Sequence, residues 1–378
     1  MTSSERRAAR YERRNSRRKE KRAAKLKSCD DFSRVADVDN LYSAFRSSMR
    51  GVAWKESVQR FEANAMRNIA DIRRKLLAGE NVQSGFVEFE LRERGKIRHI
   101  KSVHISERIV QKCLCDNVLT PVLTYPLIYD NGASVESKGV HFAIRRLITH
   151  LCRFYRQNGF SNDGYALLID FSKFFDNVRH DVLFALLDRH ITDLRILDLV
   201  CRFISVFGPG KSLGLGSQVS QIAAIFYPNE LDHVIKEKLR IKFYGRYMDD
   251  LYLIHADKDY LRYCLARIEE FCNTLGIIIN KKKTRIVKLS SGVNFLKGKY
   301  RLLPSGKVLR LPDKDSSKRI RRKLRKFKSL IASGKMSFAD LRTAYQSWRG
   351  NYIKRFNDYY RIGHLDRLYN ELFINIHP

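Results

Sequence analysis

The sequence predicts an α+β fold, an antiparallel sheet backed by helices, and three features of its 378 residues carry that prediction. Two short apolar and aromatic runs, Ile241–Tyr247 and Leu251–His255, flank a polar turn at Asp249-Asp250 and read as a β-hairpin. Alternating apolar residues between Gly85 and Ile100, interrupted by Arg92-Glu93-Arg94-Gly95-Lys96, read as a second hairpin with a basic tip. Apolar residues at helical spacing recur over Ser106–Leu119, Gly139–Tyr155 and Lys318–Ile331. The length suffices for two or three packed subdomains with a buried core.

The chain carries 73 Lys and Arg against 40 Asp and Glu, a formal net charge of +33. An excess of that size repels itself unless it is solvated or neutralised, and the usual neutraliser is a nucleic-acid backbone. An anionic membrane is the competing partner, but no apolar run approaches the ~20 residues that span a bilayer, so no membrane association is expected. Met1–Ser28 is dominated by Arg and Lys with no apolar segment after it, unlike a secretory leader. The seven cysteines are scattered, without a CxxC pair, and the ten histidines show no ligand spacing. Reduced thiols in a cytoplasmic protein, and no zinc site, are expected.

Along the chain, residues 1–28 form a basic arm, read either as a solvated tail or as a helix that contacts a polyanion. Asp37–Met49 and Trp54–Leu77 carry helical spacing, with Gly79 as a stop. In the hairpin of Gly85–Ile100, Lys96 and Arg98 are candidate phosphate contacts, against the reading of a merely soluble turn. Ser106 suits a helix N-cap and Pro121 a position past the helix end. Tyr165–Ile169, five largely apolar residues, describe a buried strand that delivers Asp170 at its exposed end. His180–Leu187 is helical. Ser212–Gln221 is a glycine-punctuated loop leading into a helical run, Ile222–Leu239, and its glycines allow a phosphate or base pair to approach the backbone.

Asp249 and Asp250 admit two readings, a polar hairpin turn or half of a divalent-cation site. The ordered set of segments decides between them. A strand ending in Asp170, the loop Gly216–Gln221, the tetrapeptide Tyr247-Met248-Asp249-Asp250, the stretch Asn280–Thr284 and then Phe295–Gly298 follow in sequence. In that order and spacing the chain resembles the reverse transcriptases over about residues 35–360. The basic hairpin resembles that family's fingers, and Glu107-Arg108-Ile109-Val110-Gln111 the helix behind it.

The resemblance implies a right-hand polymerase with fingers, an antiparallel palm sheet and a helical thumb. It divides the chain into a basic extension (1–34), fingers and palm (35–300) and thumb (301–378). It implies RNA-directed DNA polymerisation with Mg²⁺, or Mn²⁺ in vitro, held by Asp170, Asp249 and Asp250, with the Phe171 backbone carbonyl as a further ligand. Phe175 falls at the family's sugar gate, where a phenyl ring excludes a ribose 2′-hydroxyl. Leu215, Gly216 and Gln221 line the nucleotide side, and Leu215 departs from the Gln that group II intron proteins usually carry, which predicts modest fidelity. Lys283 best fits the family's Asn-Pro-x-Lys-Thr pattern as the general acid, although Lys281 replaces the Pro.

Lys318–Ile331 places Ile320, Leu324, Phe327 and Ile331 on one helix face and cations on the rest. Arg319, Arg322, Lys323 and Lys326 are candidate nucleic-acid contacts there. The stripe Trp348, Tyr352, Phe356, Tyr359 and Tyr360 reads as core rather than as a base-stacking platform. The form of Leu215–Gln221 and the tail Ser347-Trp348-Arg349-Gly350 resemble the bacterial branch of defence-associated "unknown group" and diversity-generating enzymes. That branch implies a noncoding RNA template, a DNA or RNA primer and deoxynucleoside triphosphates as partners, with an oligomer or accessory protein as a further option. Antiviral defence is the preferred role, diversity generation the second, and an inactive RNA-binding scaffold a third reading.

Overall fold

The computed structural model of the protein describes residues 3–93, 96–313 and 316–373. The chain forms two units that interleave along the sequence. One takes the residues up to Tyr129 with Phe171–Val234 and Ile268–Ile278; the other takes Asp130–Asp170, Ile235–Arg267 and the residues from Ile279 onward.

The first unit is mainly helical. The basic arm is a helix, Ser3–Cys29. Val38–Ser48 follows, with the Asp37 carboxylate capping the Asn40 N–H at 2.8 Å. The helix expected over Trp54–Leu77 is two helices, Glu56–Ala63 and Ala65–Leu77, parted at Asn64, whose backbone leaves the helical region. Strands β1 (Phe86–Glu93) and β2 (Lys96–Val103) form the expected antiparallel hairpin, while Arg94 and Gly95 at its tip lie outside the described residues. Cross-strand pairing sets Glu88 opposite Lys101 and Glu90 opposite His99.

Three boundaries differ from expectation. Helix Ile105–Leu114 is capped by His104, not Ser106, and runs through a wide turn at Cys115–Leu119 into Thr120–Leu123. Pro121 sits at the start of that last segment, where it cannot donate back into the wide turn that precedes it. The run expected over Ile222–Leu239 begins earlier, at Gln218, and breaks after Phe226 because Pro228 cannot donate to the ladder. Helix Leu194–Ser205, with Ile196, Leu199, Val200, Phe203 and Ile204 on a regular buried face, and helix Lys258–Thr274 are additional to the expected elements.

The second unit is built on a four-stranded antiparallel sheet of order β4-β5-β3-β6, with β3 Tyr165–Asp170, β4 Phe243–Tyr247, β5 Asp250–His255 and β6 Arg285–Lys288. Ala166–Ile169 are buried in succession, because the central strand is covered on both faces. Helix Val140–Gln157 lays Ala143, Leu147, Leu151 and Phe154 on one sheet face, against Ala166, Leu168, Phe243, Tyr252 and Ile254. The antiparallel strands β7 (Val293–Phe295), β8 (Gly298–Leu302) and β9 (Val308–Pro312) complete that core with Phe295, Tyr300 and Leu302.

The stretch Phe295–Gly298 is the tight turn that joins β7 to β8. Leu296 and Lys297 both hold positive φ, +45° and +65°, as a two-residue hairpin loop of the mirror-image type requires. The Arg355 guanidinium donates to the Leu296 carbonyl. C-terminal helices Ser316–Ala332, Phe338–Phe356 and Tyr359–Phe373 share a core of Ile320, Leu324, Leu341, Tyr345, Leu365 and Phe373. Arg349 clamps Asp366 through two nitrogens at 2.9 and 3.0 Å, and the Tyr345 hydroxyl donates to the same carboxylate at 2.8 Å. The aromatic stripe divides: Tyr352 and Phe356 are core, Trp348 is half-buried, and Tyr359 and Tyr360 are exposed.

Candidate active site

Asp170 ends β3 and Asp250 begins β5, and the two are direct partners across the antiparallel ladder. Side chains alternate along a strand, so both aspartates lie on the sheet face that carries Ala166, Leu168, Tyr252 and Ile254. Tyr247 pairs with Asp250, which leaves Met248-Asp249 as a two-residue turn. Met248 holds φ +55°, a left-handed conformation that disfavours side chains. The turn is thus tight, and it sets Asp249 at the tip.

The stretch after Ile279 brings a cation to these carboxylates. The Asn280 N–H donates to the Asp170 carbonyl at 2.8 Å, continuing the strand contact. Lys283 and Thr284 N–H groups then return to the Asn280 carbonyl at 3.1 and 2.9 Å, closing a turn. That turn puts Lys283 Nζ 2.7 Å from both Asp170 oxygens, while Asn280 Nδ2 reaches Oδ1 at 3.2 Å. The hydrogen bond to Asp170 is the main influence raising the Lys283 pKa, opposed by partial burial and aided by the charges of Asp170, Asp249 and Asp250. A cleft of about 190 Å³ opens here, lined by Asp170, Asp250, Lys282, Lys283, Arg285 and Phe295 among others.

Behind the turn lies a buried charge network that the sequence reading missed. Arg246 of β4 is fully buried, and its Nη1 donates to the Met248 carbonyl at 3.3 Å. The strand edge at Arg246 is bridged by residues 130–132, through Arg246 N–H to Asp130 O at 3.2 Å and Gly132 N–H to Arg246 O at 3.0 Å. The Asp130 carboxylate meets Arg146, His150 and Lys236. Burial alone would raise the Asp130 carboxyl, but hydrogen bonds from His150 and Arg146 and the nearby positive charges hold it well below the usual range. The Tyr252 hydroxyl lies 3.1 Å from His150 Nδ1. A charged residue inside an otherwise apolar strand, Arg246 in Phe243-Tyr244-Gly245-Arg246-Tyr247, was the available signal.

In the other unit, Lys101 N–H donates to the Leu215 carbonyl at 3.0 Å, so the glycine loop is tied to β2. Gly216 holds φ +122°, and a Cβ there would stand 2.5 Å from the Lys101 carbonyl oxygen. Ser217 caps helix Gln218–Phe226 through Ser220 N–H and donates to Gln111, which donates to the buried Glu107 at 2.9 Å. Burial raises the Glu107 pKa against the hydrogen bonds of Ser84 and Gln111. Gln221 lies inside that helix and is exposed, whereas the sequence places it in the loop.

Of the adjacent phenylalanines, Phe174 is buried and Phe175 is half-buried, with the Phe175 carbonyl accepting from Leu213 N–H at 2.8 Å. Phe171 is buried with its ring centroid 5.5 Å from that of Phe174. Lys96 opens β2, with its side chain outside the described residues, and Arg98 is exposed on the same strand. On helix Ser316–Ala332, Arg322, Lys323 and Lys326 are exposed, while Arg319 is engaged with Asp313 at 2.9 Å.

Residues 91–300, more than half of the chain, match the family model described as "Reverse transcriptase (RNA-dependent DNA polymerase)". The chain belongs to the reverse transcriptase family. Its mixed helices and antiparallel sheets are the α+β right-hand polymerase fold of that family. No curated protein sequence matches it. Among solved structures, it is similar to apo telomerase from Candida tropicalis truncated from its C-terminal domain, at 13% identity and a TM-score of 0.47, over 60% of this chain and 55% of that one. It is also similar to telomerase from Candida albicans in complex with a fragment of telomeric RNA, at 14% identity and a TM-score of 0.47, over 67% of this chain and 51% of that one. This reverse transcriptase chain therefore spans about half the length of those telomerase chains.

The donor set suits a hard divalent cation, because Asp170, Asp249 and Asp250 offer only oxygen. The Lys283 ammonium already occupies a cation's place on Asp170. Among the described residues no group of three or more His, Cys, Asp or Glu side chains is gathered closely enough to hold a metal ion. A cation here would complete its shell from water or substrate oxygens, as Mg²⁺ commonly does. No helix among the described residues is long and apolar enough to cross a membrane.

Proposed function

We propose that the protein polymerises deoxynucleotides on an RNA template, and that it copies a dedicated noncoding RNA into DNA in bacterial antiviral defence. The observation that carries the polymerase reading is the pairing of Asp170 with Asp250 beside a tight turn bearing Asp249, in a chain of the reverse transcriptase family. Mg²⁺ held by Asp170 and Asp249, with Asp250 and the Phe171 carbonyl beside them, would lower the pKa of the primer 3′-hydroxyl and neutralise the leaving pyrophosphate.

The chain's own groups do the rest. Lys283, kept protonated by its carboxylate neighbours, is the proton donor to the pyrophosphate oxygen that leaves. Phe175, half-buried and fixed at its carbonyl, closes the space a 2′-hydroxyl needs, which favours deoxynucleotides over an RNA product. Lys96 and Arg98 on the basic hairpin contact the triphosphate. Arg322, Lys323 and Lys326 track the template–primer backbone, and the arm Ser3–Cys29 holds the template RNA.

The form of Leu215–Gln221 and the long basic arm support the defence role, while the Ser347–Gly350 tail supports the branch that holds both roles. Leu215 supports a second reading, diversity generation, because a leucine cannot supply the polar positioning contact of a glutamine; the loss of about 1 kcal/mol raises misinsertion several-fold. Primer extension on an RNA template tests the polymerase reading: Asp249→Asn should abolish synthesis, and an unchanged rate would remove it. Sequencing the nucleic acids that co-purify tests the role. Repeated copies of one small RNA support defence, adenine-scattered copies support diversification, and absence of any DNA supports an RNA-binding scaffold.

A further inference from the structure

The contacts of Lys283 reach beyond the role of a proton donor. Its ammonium stands 2.7 Å from Oδ1 and 2.7 Å from Oδ2 of Asp170, the seat that a bidentate cation would take. Asn280 Nδ2 uses a further Oδ1 lone pair at 3.2 Å. A carboxylate has about four lone-pair sites, so these donors leave Asp170 one free position, on Oδ2. The carboxylate is mostly covered, at 15% exposure, whereas the Lys283 side chain is 54% exposed and able to swing away. Asp249 and Asp250 lie within electrostatic reach of the same ammonium.

We infer that Lys283 is the resident counter-ion of Asp170, and that a divalent cation binds there only by displacing it. The inference rests on the reading of Asp170 as a cation ligand. A divalent ion at about 2.1 Å from a carboxylate oxygen cannot share that seat with an ammonium hydrogen-bonded to both oxygens. Seated on the remaining Oδ2 position, it would still meet the repulsion of a neighbouring cation, reduced only in part by solvent. Lys283 therefore sets the affinity of the site for bare cation and keeps it low. Once displaced, the ammonium gains a new anionic partner in the triphosphate of the incoming nucleotide. Cation and nucleotide are thereby coupled, and the coupling is reciprocal.

Binding of Mn²⁺ to the full chain, followed by the free-ion electron paramagnetic resonance signal, tests this without reference to activity. Lys283 is exposed, so Lys283→Met leaves the fold intact, which a thermal melt verifies. That variant should bind Mn²⁺ about two- to fivefold more tightly than wild type, the scale of one partly exposed charge contact. Lys283→Arg, which keeps a cation, should stay near wild type. Equal or weaker binding by Lys283→Met overturns the inference while leaving Asp170 as a ligand. If Asp170→Asn binds Mn²⁺ as wild type does, the ligand reading itself falls and the inference with it.

Discussion

The fully buried guanidinium of Arg246 donates to the carbonyl of Met248, the first residue of the turn that carries Asp249. A rigid strand thus holds the turn from beneath, and the edge of that strand is pinned by Asp130 and Gly132. Arg246→Met removes a charged donor from this carbonyl, a contact worth about 1.5–3 kcal/mol. Denaturant midpoints should fall accordingly. Misplacement of Asp249 should lower kcat by about tenfold or more, with the KM for nucleotide little changed and partial rescue by Arg246→Lys. A variant that loses stability but keeps kcat would limit Arg246 to the fold.

Met248 holds its positive φ at a cost of about 1–2 kcal/mol. A β-branched residue tolerates that region worse, so Met248→Val should lower the Tm. Met248→Gly removes the strain but adds freedom to the unfolded chain, and these changes offset. Its Tm should stay close to wild type while primer extension weakens as the tip loosens. Thermal melts of the two variants side by side test this.

Gly216→Ala should be far more damaging than its size suggests. The added Cβ would meet a backbone carbonyl at 2.5 Å, and the backbone there is left-handed. Strain of about 1–3 kcal/mol must be relieved by parting the loop from β2. Polymerisation and thermal stability should both fall, whereas alanine at the open, mid-helix Gly350 should raise stability by about 0.5–1 kcal/mol.

Phe175→Ala should admit ribonucleotides. The ratio of kcat/KM for deoxy- over ribonucleotides, measured by primer extension, should fall at least about tenfold as the space under C2′ opens. Phe174→Ala should instead cost stability, about 3–5 kcal/mol for a buried phenyl ring. An unchanged sugar preference in Phe175→Ala would move the gate elsewhere.

Acid should loosen the unit that carries the aspartates. Burial is the main influence on His150 and pushes its pKa down, against the pull of Asp130. A depressed histidine stays neutral in the fold and takes up its proton on unfolding. Its contribution is therefore complete above the ordinary value near 6.5 and is lost as the pH falls towards the lowered one. Asp130, also held low, adds its loss only in stronger acid. Melts between about pH 7.5 and 5.5 should show a falling Tm, with a shallower fall in His150→Gln.

Much of the site was legible because its parts are local patterns. The run Tyr165–Ile169 announces a covered strand, and a carboxylate at its end is conspicuous. The two aromatic runs around Met248-Asp249 leave room only for a tight hairpin, and the register of that hairpin follows from the turn. Arg246 and Asp130 were overlooked because a burial partner leaves no periodic trace. Gln221 falls in the helix rather than the loop because Ser217 caps the helix and starts it at Gln218.

Sequence alone determined that three aspartates, a glycine loop and a lysine-rich stretch occur in the order of a reverse transcriptase, since order and spacing are properties of the chain. Among Lys281, Lys282 and Lys283, three chemically equal cations in a row, it singled out Lys283 only through the resemblance to the family's Asn-Pro-x-Lys-Thr pattern. Tertiary structure supplies the physical reason. Asn280 hooks the Asp170 carbonyl, the chain turns back on Asn280, and only the third lysine arrives with its ammonium between the two carboxylate oxygens. A hydrogen bond across 110 residues, not any local preference, fixed which lysine meets the aspartate.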